Sequence, residues 1–327
     1  MTNSAAIKLD SLTFHYGQRC ALDDVSWEVL TGELFALLGP NGSGKTTLFR
    51  LLATLIPLQR GAIEIFGSNL ASDVRRARYD MGVVFQSPSV DGKLTLFENL
   101  RLQASLYGCV GKLARQRIAE VSSQLGIDDR QHDQVDELSG GLRRRLELAK
   151  SLLHQPRLLI MDEPTTGLDP AARSDLWNYL RRLQQQTGMT IFMTTHLLEE
   201  AERADRVAIL NAGQLVALDE PDVLCRELGG DVISIRSSDP QSLAADLQTD
   251  LNLQPRLIDG LLRLQQPDPS ELPEDAGQGN LLQVIMEKHR DQIQTITMGR
   301  PGLEDVFISK TGHQFWGDDN GSRKDQR

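Results

Sequence analysis

Gly39-Pro40-Asn41-Gly42-Ser43-Gly44-Lys45-Thr46 decides how this chain is read. Two glycines enclose four residues, and Lys and Thr follow directly, which is the P-loop pattern. A polyphosphate is small, multiply charged and strongly hydrated, so a protein that binds it must replace water with donors at close range. Gly39, Gly42 and Gly44 present no Cβ, so main-chain N–H groups can converge on phosphate oxygens. A helix beginning near Lys45 adds its positive N-terminal end. Lys45 can reach the terminal phosphates, and the Thr46 hydroxyl can ligate Mg²⁺. Asn41, Ser43 and Thr47 complete the set expected around a bound nucleotide. Working outward, Leu34 to Leu38 reads as a buried strand and Thr47 to Ala53 as a helix, the strand–loop–helix setting that the pattern requires.

Further along, Leu158-Leu159-Ile160-Met161-Asp162-Glu163-Pro164 ends a buried strand on two acids. Strand ends are where ligands bind in an α/β sheet. Asp162 is placed to hold Mg²⁺, and Glu163 to orient or deprotonate an attacking water. Ser139-Gly140-Gly141 precedes an amphipathic helix, which Ser139 can cap while the glycines bare its first N–H groups as a second anion site. On that helix the spacing predicts a surface pair between Arg143 and Glu147, and Arg143-Arg144-Arg145 reads as a solvated face.

The chain has 327 residues and a formal net charge of −10, enough length for two domains and no basic excess for broad nucleic-acid binding. Cys20, Cys109 and Cys225 show neither a disulfide framework nor zinc spacing, which points to a reducing compartment. No apolar run approaches the length that spans a bilayer, and the start has no apolar signal region, so the expectation is a cytoplasmic protein. Strands alternate with helices after the P-loop, indicating an α/β core with a mainly parallel sheet. Composition shifts after Gly229-Gly230, and the order βαββαβ that follows suggests a small α+β domain of ferredoxin-like type. The expected domains are 1–228, with a helical part at about 88–150, then 229–312, then a polar tail at 313–327. Pro267 to Gly279 reads as a polar loop.

Taken in order, the P-loop, Gln86, Leu138-Ser139-Gly140-Gly141, Asp162-Glu163, Gly167-Leu168-Asp169 and His196 resemble the nucleotide-binding subunit of an ABC transporter, over residues 7 to about 225. The resemblance implies a P-loop NTPase core with an antiparallel β subdomain and a helical subdomain. It implies ATP and Mg²⁺ as cofactors, and two subunits paired head to tail, the P-loop of one facing Ser139, Gly140 and Gly141 of the other. It gives Tyr16 as the aromatic on adenine, and Gln86 as a contact to Mg²⁺ or water beside Thr46 and Asp162. Asp169 becomes the acid of the dimer-crossing loop and His196 the switch histidine at the γ-phosphate, so that Glu163, His196 and Gln86 form the catalytic set. The family usually has Gln after Ser-Gly-Gly; here Leu142 stands there, one polar group fewer.

Pro301 to Gly312 and Phe85 to Asn99 are similar to the drug-exporter type, including daunorubicin-resistance ATPases, which pair with separate ABC-2 permeases. That resemblance implies an ATPase peripheral on the inner face of the membrane, held there by the permease and most simply a homodimer. An importer ATPase or a non-transport ABC ATPase is the alternative.

Overall fold

The computed structural model describes residues 4–251, 253–258, 260–265 and 281–315. They form two compact units, one reaching Leu218 and the other starting at Asp219.

In the first unit, β1 (Ala5–Tyr16), β2 (Arg19–Leu30), β4 (Arg60–Ile65) and β5 (Ser68–Asn69) make a sheet in the order β2-β1-β4-β5 with antiparallel pairing throughout. Its strands alternate buried and exposed residues because only one face meets the core. The second sheet contains β3 (Leu34–Leu38), β6 (Met81–Val84), β7 (Leu158–Asp162), β8 (Thr190–Thr195), β9 (Arg206–Asn211) and β10 (Gln214–Asp219), in the order β10-β9-β3-β8-β7-β6. Every residue of β3, β7 and β8 is buried, which is why these strands read as unbroken apolar runs. Trp27 stacks on Phe35 at 6.4 Å and Phe35 on Phe192 at 6.0 Å, joining the antiparallel sheet to the parallel one.

Register positions the chemistry. β3 pairs in parallel with β8, Leu38 opposite Thr195; β7 pairs in parallel with β8, Asp162 opposite Thr194; β6 pairs in parallel with β7, Val84 opposite Met161. The segments that leave these four strand ends therefore emerge at one edge of the sheet. They carry the P-loop, His196, Glu163 and Gln86.

The helical part consists of α3 (Leu96–Leu106), α4 (Gly111–Leu125) and α5 (Gly140–Leu152). A reciprocal box between Thr95 and Glu98 starts α3, satisfying two otherwise orphaned N–H groups. Ser139 starts α5. α1 (Lys45–Leu52) follows the P-loop, α2 (Val74–Asp80) precedes β6, α6 (Pro170–Thr187) follows β7 and the short α7 (Leu198–Ala201) follows His196. Among the described residues no helix is long and apolar enough to cross a membrane.

In the second unit, β11 (Val232–Ser237), α9 (Pro240–Leu251), β12 (Arg256–Ile258), β13 (Leu261–Gln265), α10 (Leu281–His289) and β14 (Ile293–Gly299) succeed one another. The sheet order is β12-β13-β11-β14 with antiparallel pairs, the split βαβ arrangement of a ferredoxin-like domain. Two boundaries differ from the sequence expectation. α8 (Pro221–Glu227) lies before Gly229-Gly230 yet packs on α11 (Leu303–Thr311), so the unit begins about ten residues earlier. At the other end Phe315 is buried against Phe307, ring centroids 5.0 Å apart, so this residue of the expected tail belongs to the core. The expected loop at 267–279 and the tail beyond 315 lie outside the described residues.

Candidate functional site

The P-loop is shaped by two close approaches. Gly44 has φ +109°, and a Cβ there would stand 2.4 Å from the Ala21 carbonyl; a Cβ on Gly39 would stand 2.4 Å from the Leu210 carbonyl. No other residue type fits either position. Lys45 is buried, and its Nζ donates to the carbonyls of Gly39 (2.7 Å) and Pro40 (3.0 Å). Burial pushes the ammonium pKa down, while the nearby carboxylates of Glu163 and Asp162 pull it back up. Ser43 Oγ is buried without a hydrogen-bond partner, a polar atom left for a phosphate oxygen to satisfy. Thr46 and Thr47 line the same cavity of about 270 Å³, together with Tyr16, Arg19, Asn41 and Gln86. Glu163 closes it.

Glu163 has φ +44°, in the left-handed region that a side chain normally avoids. Such a conformation costs about 1–3 kcal/mol and persists only where its surroundings hold it. Here the Glu163 N–H donates to the Thr194 carbonyl (3.2 Å) and hydroxyl (3.0 Å). The bend turns the carboxylate back over the strand ends. Its Oε2 accepts from Gln86 Nε2 (3.1 Å) and the Thr166 hydroxyl (3.3 Å) and lies 3.0 Å from His196 Nδ1. Its Oε1 is 3.9 Å from Lys45 Nζ. Side chains from Lys45 to His196 along the chain thus converge on one carboxylate.

Asp162, one residue earlier, is buried, and its Oδ1 accepts the Thr194 hydroxyl at 2.6 Å. Burial raises its pKa, the Thr194 bond opposes that, Glu163 adds to it, and Lys45 and Arg50 oppose it. A buried carboxylate of this kind gains from a cation at its free oxygen. The hydroxyl of Thr46, the amide oxygen of Gln86 and the Asp162 carboxylate are hard oxygen donors that suit Mg²⁺ rather than a softer metal. One carboxylate is a weak cage alone, so such an ion would be shared with phosphate oxygens.

Ser139, Gly140, Gly141 and Asp169 are elsewhere. They line a separate cavity of about 1160 Å³ that shares no residue with the P-loop cavity. Ser139 Oγ accepts the Leu142 N–H at 3.3 Å and Asp169 Oδ1 the Ala172 N–H at 2.9 Å, so both are helix caps. The expected site residues therefore fall into two groups within one chain, each lining its own cavity.

α5 differs from the sequence expectation in two places. Arg144 is not solvated but buried, and Glu147, also buried, pairs with Arg144 (2.8 Å) rather than with Arg143. Arg143 instead donates to the Leu138 and Asp136 carbonyls. The available signal was Glu147 itself, set between Leu146 and Leu148 one turn from an arginine. Glu200 was also missed: it is 2% exposed, accepts the hydroxyls of Thr165 and Thr195, and lies 3.9 Å from Arg173 Nε. It ties the turn after Glu163 to the strand end that carries His196.

Comparison with known proteins agrees with this geometry. A family profile described as ABC transporter matches residues 22–166. The daunorubicin resistance ATP-binding protein DrrA2 of Streptomyces coeruleorubidus is 34% identical over 313 residues, covering 94% of this chain and 96% of that protein. The Nod factor export ATP-binding protein I of Rhizobium johnstonii is 36% identical over 317 residues, covering 95% and 96%. Among solved structures, the ATP-binding subunit of an ABC transporter superposes with a TM-score of 0.62 at 32% identity, covering 68% of this chain and 93% of that one. A dimeric ATP-binding cassette holding ADP and phosphate after hydrolysis gives 0.60 at 25% identity, covering 65% and 98%. With a phosphate loop, a strained glutamate beside it and relatives matched along almost their whole length, the chain belongs to the ABC transporter family as an ATP-binding ATPase subunit, and it resembles the drug-exporter type.

Proposed function

We propose that this ATPase drives export through a separate membrane permease of the ABC-2 kind, and that Glu163 is its catalytic base. The observation that carries the reading is the convergence of Gln86, Thr166 and His196 on the Glu163 carboxylate at the mouth of the P-loop. In this reading Tyr16, 43% exposed and edge-on to Phe14 at 5.0 Å, offers its free face to adenine. Main-chain N–H groups from Asn41 to Thr47 and the Lys45 ammonium grip the phosphates. Lys45 exchanges its two carbonyl acceptors for phosphate oxygens, a stronger charge-assisted pair. Bound Mg²⁺, held by Thr46, Gln86 and Asp162, would neutralise charge on the β- and γ-phosphate oxygens.

Glu163 takes a proton from a water as its oxygen attacks the γ-phosphorus, and the bond to the ADP oxygen breaks. Gln86 donates to Glu163 and orients it, and His196, beside the same carboxylate oxygen, holds the γ-phosphate. Ser139, Gly140, Gly141 and Asp169 act on the nucleotide of a second subunit, because their cavity is separate from their own P-loop. A symmetric pair of this chain places each group opposite the other and makes two complete sites. ATP closes the pair, and hydrolysis reopens it.

The permease docks on the helical part. α3 and α4 border a groove of about 570 Å³ lined by Leu94, Phe97, Leu102, Val110, Ala114 and Ile118. Leu102 (55%), Leu106 (73%) and Val110 (66%) are exposed around it, an apolar surface of the kind that marks a partner site. This attachment holds the protein on the inner face of the membrane. Affinity purification of the tagged chain from detergent-solubilised membranes tests the reading. A six-helix membrane protein should co-elute from the unaltered chain and be lost with Leu102→Glu/Leu106→Glu. Co-elution of an importer's permease, or of no membrane protein at all, would contradict it.

A further inference from the structure

Arg144 lies on α5, buried and outside the P-loop cavity. We propose that Arg144, braced by Glu147, is a positioning residue for hydrolysis: one buried guanidinium fixes the backbone that carries both Gln86 and Glu163. This rests on the reading of those two residues as the hydrolytic pair.

The geometry is specific. Arg144 Nη1 donates to the Phe85 carbonyl at 2.7 Å, one residue before Gln86. Its Nε donates to the Pro164 carbonyl at 2.6 Å, and its Nη2 to the carbonyl of Glu163 itself at 3.4 Å. Nη1 also meets Glu147 Oε2 at 2.8 Å, and Glu147 Oε1 accepts the Ser89 N–H at 2.6 Å. Lys150, one turn further along α5, donates to the Ser89 carbonyl at 2.5 Å. The loop from Phe85 to Ser89 is thus held at both ends by one helix face, and the same guanidinium holds the turn at Glu163 and Pro164.

A planar fork with donors on three nitrogens can serve three carbonyls that diverge; an ammonium is a single point and cannot. The carbonyls belong to segments that leave neighbouring strands, β6 and β7, whose pairing stops at Val84 and Met161. Beyond that pair no ladder fixes the two segments against each other. Arg144 supplies the bond the sheet does not. Ser139, Gly140 and Gly141 lie at the N-terminus of the same helix, so a shift of α5 when that end meets a partner's nucleotide moves Arg144 and hence both reacting side chains. A displacement of about 1 Å in such groups costs on the order of 10²-fold in rate.

Turnover and MgATP affinity of purified Arg144→Gln, Arg144→Lys and Glu147→Gln, alone and combined with Glu163→Gln, test this. Arg144→Gln should lower kcat by about 10- to 100-fold while the ATP dissociation constant stays within about 3-fold, since no phosphate contact is lost. Arg144→Lys should recover part of the rate by keeping the charge. Glu147→Gln, which retains an acceptor for Ser89, should lose about 3- to 10-fold. In the Glu163→Gln background Arg144→Gln should cost little more, because both changes disable one unit. If Arg144→Gln does not fold, Arg144→Lys and Glu147→Gln decide the matter by the same kcat-against-affinity split. Wild-type kcat in folded, nucleotide-binding variants, or a fully additive loss in the Glu163→Gln background, would overturn the proposal. Wild-type turnover of Glu163→Gln alone would instead remove the hydrolytic assignment on which it rests.

Discussion

Glu163→Gln is expected to bind MgATP as tightly as the unaltered chain and to hydrolyse it about 10²–10⁴-fold more slowly. The amide has the same shape and reach, so the turn with φ +44° and its bonds to Thr194 survive. The amide oxygen can still accept from Gln86 and Thr166. What it cannot do is take a proton from water. The substitution also removes the carboxylate 3.9 Å from Lys45, which frees that ammonium for the phosphates rather than weakening its grip. Affinity by calorimetry and phosphate release under saturating MgATP separate the two effects. Turnover equal to that of the unaltered chain would take Glu163 out of the role.

Lys45→Ala should act on the other quantity. Lys45 is 4% exposed and carries the single ammonium at the phosphate end of the cavity. A hydrogen bond to a charged group contributes about 1.5–3 kcal/mol, so losing it to the terminal phosphates should weaken ATP binding on the order of 100-fold. The change also strips donors from the Gly39 and Pro40 carbonyls, which lets the loop relax away from its phosphate-ready shape. Calorimetry reads the loss directly; unchanged affinity would contradict the placement of the phosphates at this loop.

The legible parts of this protein are those in which chemistry is local in sequence. The P-loop declares itself because one octapeptide contains the glycines, the lysine and the hydroxyl, with a strand before it and a helix after. Asp162 and Glu163 are legible because an all-buried strand cannot end on two acids without reason. The sheet order of the second unit follows from its βαββαβ succession. Arg144 was hidden for the opposite reason. Three consecutive arginines look solvated, and only the packing of α5 against the segments after β6 and β7 tells the middle one apart. Glu200 was hidden likewise: Thr195 is near it in sequence, but its other partner, Thr165, lies 35 residues earlier and only the fold brings it close. Composition drew the boundary at Gly229-Gly230, but contacts draw it at Leu218, because α8 finds its partner in α11 about eighty residues later. Phe315 was lost in a polar tail, although its ring packs edge-on against Phe307.

The separation of the two site cavities within one chain is the feature with the widest consequence. If each reaction site is built from the P-loop of one subunit and the Ser-Gly-Gly segment of another, two defective chains can repair each other. Lys45→Ala disables one half. Gly140→Asp disables the other, and it does so without disturbing the chain's own packing: nothing lies within 4 Å of a Cβ at Gly140. There an acid suits the helix N-terminus but repels a partner's phosphates. The decisive measurement is phosphate release from MgATP by each variant alone and by an equal mixture. Random pairing makes half the dimers mixed, each with one intact site of two, so the mixture should reach about a quarter of the unaltered rate while each variant alone stays near background. A mixture no faster than the average of its two components would contradict the split site.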